Sequence, residues 1–450
     1  MSKLKRLLKE QIKTSTDASI VSIDEISAES AATLHALNSR EAGGWRSNIL
    51  KIFDDKGSLI KRVMDKFYVG YGHKSIGDCG PGHVLVDDLS MLAANALEHN
   101  PLFSGQETSS RYVELSDKGF VQSGNLIVDY WTEQWLDFYS KNLSIVIEYI
   151  SKQYPCPVHE KPINWEKAIK SRACDIMGSF LPSGAKTNMS IQMNLRQFAD
   201  FMDKTIYHPV NEIREISEAI IESLQLKHPN SFKFKKYAST EEYKKKVSEF
   251  IFKGSEKTSD WNFSTNICKD IMIDFLGDLV DRPEKTELPH EVSELGQIDI
   301  QSMIDYRSFR DLHRQRCISF KMPIVTAKHG FEDWYLKMLP ESVREEAASL
   351  LGVFEEVYDD FVDDESKKFI MQYAVPMGYK VPCNGIMTLN GAVYVTDLRS
   401  GLPVHPTARI WAIKLADELE KHLPGLKLHT CRLPDQFVPD RGKHDIIEKK

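Results

Sequence analysis

Apolar residues recur at helical spacing along two long stretches, Leu126 to Lys152 and Glu341 to Gln372, and predict a long helix in each. The first places Trp131, Trp135, Phe138 and Tyr139 on one face, so these aromatics are expected in the core. Two shorter amphipathic stretches each follow a His-Pro pair. After His208-Pro209 the apolar positions are Ile213, Ile216, Ile220 and Leu224; after His405-Pro406 they are Ile410, Ile413, Leu419 and Leu423. Pro229 and Pro424 stand beyond the two ends, where proline stops a helix. The lysine-rich, weakly apolar stretch from Phe232 to Lys257 reads as a linker. Met1 to Thr14, with five basic residues among leucines, reads as a solvated amphipathic helix; it lacks the continuous apolar segment of a secretory signal.

The paired patterns suggest an internal duplication. Met177-Gly178-Ser179-Phe180-Leu181-Pro182-Ser183-Gly184 resembles Met377-Gly378-Tyr379-Lys380-Val381-Pro382-Cys383-Asn384-Gly385, an offset of 200 residues from Met177 to Met377. The His-Pro pairs repeat at nearly the same interval, 197 residues from His208 to His405. The expected fold is therefore α+β: two related halves, residues 1–240 and 241–450, each a small sheet packed with long helices, forming a pseudo-dimer.

Composition narrows the function classes. The 450 residues are 42% hydrophobic and 27% charged, which suits globular folding rather than disorder. A formal net charge of −7 argues against a nucleic-acid polymer as partner, and no apolar run is long enough to cross a bilayer. A cytoplasmic protein is expected. The seven cysteines are scattered without a C-x-x-C pair, and the fourteen histidines show no ligand spacing, so neither a disulfide framework nor a metal site is predicted.

Two clusters carry candidate chemistry. Ser104 to Tyr112 packs serines, Glu107 and Arg111 around a glycine. It reads either as an anion-binding loop, with the arginine gripping phosphate through two parallel hydrogen bonds, or as an ordinary polar turn. In Arg307 to Arg316, residues Arg307, Arg310 and Arg314 share a helix face, which suits a polyanionic ligand such as a pyrophosphate or a face laced by salt bridges.

Together these clusters resemble the flavin-dependent thymidylate synthases, whose signature is R-H-R-x-x-S-x-N-E-x-S-x-R-Y. The first half matches its latter part through Ser104, Gln106, Glu107, Ser109, Arg111 and Tyr112, while His99-Asn100-Pro101 stands where R-H-R belongs. The second half holds the opposite portion, Arg310-Asp311-Leu312-His313-Arg314-Gln315-Arg316, without a following S-x-R-Y. Gly72-His73-Lys74-Ser75 resembles the family's upstream G-H-x-S, and His290 with Ser293 is a weaker echo. Asn194-Leu195-Arg196 resembles its N-x-R, and Leu398-Arg399 with His405 its L-R-x-x-x-H, with Lys204 and His208 at the corresponding places in the first half. The arginine usual four residues before the family's proline is replaced by Gly178 and, on the 200-residue offset, by Gly378.

The resemblance implies reductive methylation of dUMP to dTMP. Methylenetetrahydrofolate would give the carbon, and FAD reduced by NADPH would give the hydride. Glu107, Ser109, Arg111, Tyr112 and Arg196 would bind the nucleotide. His73, Ser75, His290, Arg314 and Arg316 would bind flavin, and Ser109 and Arg399 would serve catalysis. It also implies a homodimer acting as a pseudo-tetramer, with half of the ancestral sites relaxed. Two other readings stand beside it: a related flavoenzyme passing a one-carbon unit to another nucleotide, which the glycine replacements would accommodate, or a silent nucleotide-binding scaffold descended from the enzyme.

Overall fold

The computed structural model describes residues 12–13, 19–21, 26–40, 44–54, 57–111, 113–158, 160–233, 236–254, 259–363 and 365–435. The chain divides into two compact units. One comprises residues 1–86, 102–106 and 190–249; the other comprises 87–101, 107–189 and 250–450. Among the described residues no helix is long and apolar enough to cross a membrane.

The fold is α+β with two related halves. Each half runs strand, helix, long helix, strand, helix, helix. The first uses Pro81–Ser90, Met91–Leu97, Leu126–Gln153, Lys186–Asn194, Leu195–Thr205 and Asn211–Lys227. The second uses Gln297–Asp305, Tyr306–His313, Glu341–Phe361, Lys380–Thr388, Leu389–Arg399 and Pro406–His422. In the first sheet the strand Lys186–Asn194 lies between Pro81–Ser90 and Ser104–Glu107. In the second, Gln297–Asp305 and Lys380–Thr388 form the antiparallel centre, flanked by Trp261–Thr265 and Ile318–Phe320. Alternation puts Ile298, Ile300 and Ser302 inside and Asp299 and Gln301 toward the other face. Each half's first strand turns straight into a helix through a side-chain cap: Ser90 accepts from the Ala93 N–H, and Asp305 from the Ser308 N–H.

Within the second unit the halves meet about a quasi-two-fold axis. Pro182 and Pro376 bridge antiparallel, and the flanking hydrogen bonds are reciprocal. Ser183 N–H donates to Val375 O and Met377 N–H to Leu181 O, both at 3.0 Å; Gly184 N–H donates to Tyr373 O and Gly378 N–H to Ser179 O at 2.8 and 2.7 Å. These pairs fix the offset between the halves at 194 residues (Pro182 to Pro376), which corrects the offset of 200 drawn from sequence. The second half contains two adjacent Met-x4-Pro segments, Met371 to Pro376 and Met377 to Pro382. Letters alone favour the second, because it repeats the Met-Gly pair, whereas backbone pairing selects the first. The position four residues before the second half's matching proline is therefore Gln372, not Gly378.

Aromatic packing fills this unit. Phe180 lies 4.9 Å from Phe138 and 5.0 Å from Phe331, and Phe354 of the second long helix lies 5.2 Å from Trp131 and 5.5 Å from Trp135. Trp131, Trp135, Phe138 and Tyr139 are all buried, as their spacing predicts. The second long helix ends sooner than expected: Glu341–Phe361 is followed by a separate helix, Glu365–Met371. The stretch read as a linker contains the helix Ala238–Phe252. In Pro406–His422 the buried face is Trp411, Ala412, Leu415, Ala416 and Leu419, while Ile410 is exposed, so the apolar stripe is turned by about one residue from the expected one. The expected amphipathic helix at Met1 to Thr14 lies almost wholly outside the described residues; Ile12–Lys13 pairs as strand with Ser19–Ile20.

The first unit has its own core of Ala32, Ala36, Val63, Met64, Tyr68 and Ile76. Glu29 is buried there and accepts from the Asn230 backbone and side-chain N–H groups and from the Ser231 hydroxyl at 2.7–3.1 Å.

Candidate functional site

In the second unit the helix Tyr306–His313 carries Arg307, Arg310 and Asp311 toward the loop that follows Glu107. Arg310 Nη2 donates to both carboxylate oxygens of Glu107, and only 11% and 8% of their side chains are exposed. Arg111 reaches two carboxylates: its Nε lies 3.2 Å from Asp175 Oδ1, and its Nη2 lies 3.2 Å from Asp311 Oδ2. Asp175 is fully buried, whereas the Asp311 side chain is 37% exposed. Arg399, at the end of its helix, donates from Nη2 to Asp311 O at 3.2 Å. Arg307 lies on the far side of Asp175, with Nη2 3.7 Å from Oδ1 and 3.3 Å from Cys174 O. Arg111, Arg307 and Arg399 with Asp175 and Asp311 thus form one network drawn from both halves, and Arg310, on the helix that carries Arg307 and Asp311, forms an ion pair with Glu107.

The electrostatics of this network leave donors available for an anion. Burial opposes the charge on Asp311, but Arg111 and Arg399 beside it prevail and hold its carboxyl below the usual range. Burial lowers the pKa of Arg399, against the pull of Asp311. Its Nε–H is buried without a hydrogen-bond acceptor, as are Arg310 Nε–H and Arg307 Nη1. Buried guanidinium donors without acceptors are costly unless an anionic ligand or water takes them.

Around this network lies a shell of neutral imidazoles. Burial pulls His405 down to about 3 and His313 likewise to about 3. His405 Nδ1 lies 2.9 Å from Thr407 Oγ1, and His313 bridges Asn95 and His99 at 3.2 and 2.9 Å. Glu98 stands beside Arg314, its Oε1 3.8 Å from Nε. Burial, then Glu107, push the Glu98 carboxyl up to about 7, against Arg314 and Arg310. An unfolded glutamate titrates at about 4.3. The folded state therefore holds a proton that the unfolded chain has released, and the resulting stability is full below about 4.3 and lost as pH rises through about 7. Thermal melts should show Glu98→Gln gaining on the wild type between pH 5 and pH 8; parallel pH profiles for the two would contradict this.

The sequence-predicted residues fall into two groups. Glu107, Ser109, Arg111 and Arg399 belong to the second unit; Asp311 joins Arg111 and Arg399, and Glu107 pairs with Arg310 of the helix that carries Asp311. Ser109 Oγ accepts from the Arg111 backbone N–H at 3.3 Å. Arg314 stands beside Glu98, while Arg316 and His290 are exposed in the same unit. Tyr112 lies outside the described residues. His73, Ser75 and Arg196 belong to the first unit. His73 is exposed, stacked on Phe67 with centroids 6.2 Å apart, and its Nδ1 lies 3.2 Å from Arg40 Nη2. Ser75 is exposed on the short helix Lys74–Cys79. Arg196 pairs with Asp78 at 2.8 Å and Asp200 at 3.3 Å.

Sequence reasoning missed Asp175, Glu98 and the contact of Arg307. Asp175 and Glu98 had a signal: each is a lone acid in or beside an apolar run, Ala173 to Met177 and Met91 to Leu97. A carboxylate buried in such surroundings requires a cation close by.

Residues 10–230 match the model of the thymidylate synthase complementing proteins (Thy1), so that span is similar to this family. The sequence is also similar over most of its length to UPF0159 proteins. It is 23% identical to one from Thermoplasma acidophilum, covering 87% of this chain and 93% of the relative. It is 22% identical to one from Chlamydia muridarum, covering 96% and 94%. One from Chlamydia pneumoniae is 21% identical, over 86% and 82%.

Proposed function

We propose that this chain is a flavin-dependent thymidylate synthase-like enzyme, which methylates dUMP reductively with methylenetetrahydrofolate. The observation that supports this best is that the two incomplete motifs of the two halves meet: Glu107 pairs with Arg310, and Arg111 with Asp311, which Arg399 also contacts. The donor set there fits a nucleotide: Arg399 Nε–H and Arg307 Nη1 are buried without acceptors. The half-exposed Asp311 occupies a guanidinium edge that a phosphate would take.

In this reading the nucleotide phosphate displaces Asp311 from Arg111 and gains a charge-assisted pair. Asp175 keeps Arg111 oriented from behind. Glu107, held by Arg310, accepts from the sugar hydroxyl. Arg399 faces the pyrimidine, where a positive group stabilises negative charge developing on the ring. Arg314 and Arg316, exposed guanidiniums near this network in sequence, suit the pyrophosphate of FAD; His73, Ser75 and His290 would complete that pocket in an assembly of two chains. Bound flavin supplies the hydride, itself drawn from NADPH, and the protein supplies orientation and charge.

Two measurements test the reading together. Purified protein should be yellow, or become so on adding FAD. It should also release tritium from dUMP labelled at C5 only when folate and reductant are both present. Flavin uptake without tritium release would point to another nucleotide as acceptor. Failure of both would leave a nucleotide-binding scaffold.

A further inference from the structure

We propose that Arg307 is a positioning residue of the nucleotide site: delivered from the second half, its guanidinium fills the place of the side chain that residue 178 lacks, and through Asp175 it fixes Arg111. The proposal rests on the nucleotide-binding reading above.

Gly178 is the starting point. Its backbone is ordinary right-handed helix, φ −61° and ψ −13°, which any residue adopts, so conformation does not call for glycine here. Space does. A Cβ at 178 would lie 2.6 Å from Arg307 Cζ and 2.9 Å from Nη2, and closer still to Nη1. A side chain at 178 and the guanidinium of Arg307 therefore exclude one another.

The place of Arg307 is set firmly. Its N–H donates to Met377 O at 2.9 Å, beside the quasi-two-fold axis, and the Asp305 cap holds the start of its helix. Its side chain is 7% exposed. From there Nη2 meets Cys174 O and Asp175 Oδ1, while Arg111 Nε meets the same Oδ1 from the other side. A fully buried carboxylate between two guanidiniums keeps its direction; with one of them gone it loses half of what orients it and loosens its hold on the other.

The arrangement occurs once among the described residues. Arg307 corresponds across the axis to Leu92, whose N–H donates to Ser183 O at 2.9 Å as that of Arg307 does to Met377 O. On the 194-residue offset Asp175 corresponds to Phe369 and Gly178 to Gln372. Neutral residues occupy these three counterparts, so the charge pattern belongs to one side and is not a by-product of symmetric packing.

The test is titration calorimetry of the full-length protein with dUMP. Arg307→Ala should bind on the order of tenfold to a hundredfold more weakly. The double variant Gly178→Arg/Arg307→Ala, which returns a guanidinium to the same space from the opposite side, should recover affinity to within a few-fold of wild type. A role in folding alone would not predict recovery of ligand affinity beyond recovery of the melting temperature. Unchanged dUMP affinity in folded Arg307→Ala would overturn the proposal and leave the nucleotide reading standing. Should Arg307→Ala not fold, a folded double variant that binds no better than Arg111→Ala would overturn it too. Wild-type protein that binds none of dUMP, dCMP, UMP and dTMP would remove the nucleotide reading, and the proposal with it.

Discussion

Arg310→Ala is expected to destabilise the protein by about 3–5 kcal/mol, the usual cost of leaving one member of a buried ion pair alone. Glu107 is almost fully enclosed, and without Arg310 its carboxylate is left beside the acid of Glu98. Urea denaturation followed by tryptophan fluorescence measures the loss directly. A double-mutant cycle with Glu107→Leu and Arg310→Met should recover most of the stability, because two apolar side chains of similar volume leave no charge uncompensated. Activity should stay absent in that double variant. A single-variant loss below about 1 kcal/mol would show that water reaches the pair and that the site is more open than its burial indicates.

Arg111→Ala is expected to weaken dUMP binding by two orders of magnitude or more, about 2.7 kcal/mol, and to abolish tritium release. Arg111 combines a buried anchor with a solvent-facing edge: Asp175 holds Nε, and Asp311, the partner at Nη2, is exposed enough to leave. An incoming phosphate therefore meets a donor already oriented, and the ordering cost of a long side chain has largely been met on folding. Arg111→Lys should fail nearly as badly, since an ammonium cannot hold Asp175 and grip phosphate in two directions. Calorimetry should give one nucleotide per chain in the wild type, given the neutral counterparts of Arg307 and Asp175. Affinity within threefold of wild type in Arg111→Ala would place the phosphate elsewhere.

Much of the fold was legible because burial writes periodicity into the chain. Trp131, Trp135, Phe138 and Tyr139 announced their helix and its buried face, and the prolines at 229 and 424 marked the ends of two others. The register between the halves was not legible. Two Met-x4-Pro segments lie side by side in the second half, and the choice between them rests on backbone hydrogen bonds that carry no signature in side-chain identity. The helix Ala238–Phe252 was hidden by its lysines, which lower the apolar contrast without lowering helix propensity.

For the site, residue types sufficed to mark Glu107, Arg111 and Arg399, because hydroxyls, acids and arginines crowded into short segments are chemically unusual. They could not show which groups would meet. Asp175 and Arg307 are separated by more than a hundred residues, and only folding brings the guanidinium against Gly178. Reading residue 178 as a simple loss followed from comparing residue types in the two halves, which carry no sign that Arg307 folds into that space.

The rung at Pro182 and Pro376 has a consequence for how such a protein tolerates dilution. In an assembly of separate identical chains, reciprocal bonds of this kind persist only above the dissociation constant of the pair. Tying both partners into one polypeptide makes their encounter intramolecular, so the join should endure at any concentration. It also frees each side from having to match its own copy. A substitution such as leucine on one flank and arginine on the other, impossible when identical copies of one sequence supply both, then becomes an ordinary step.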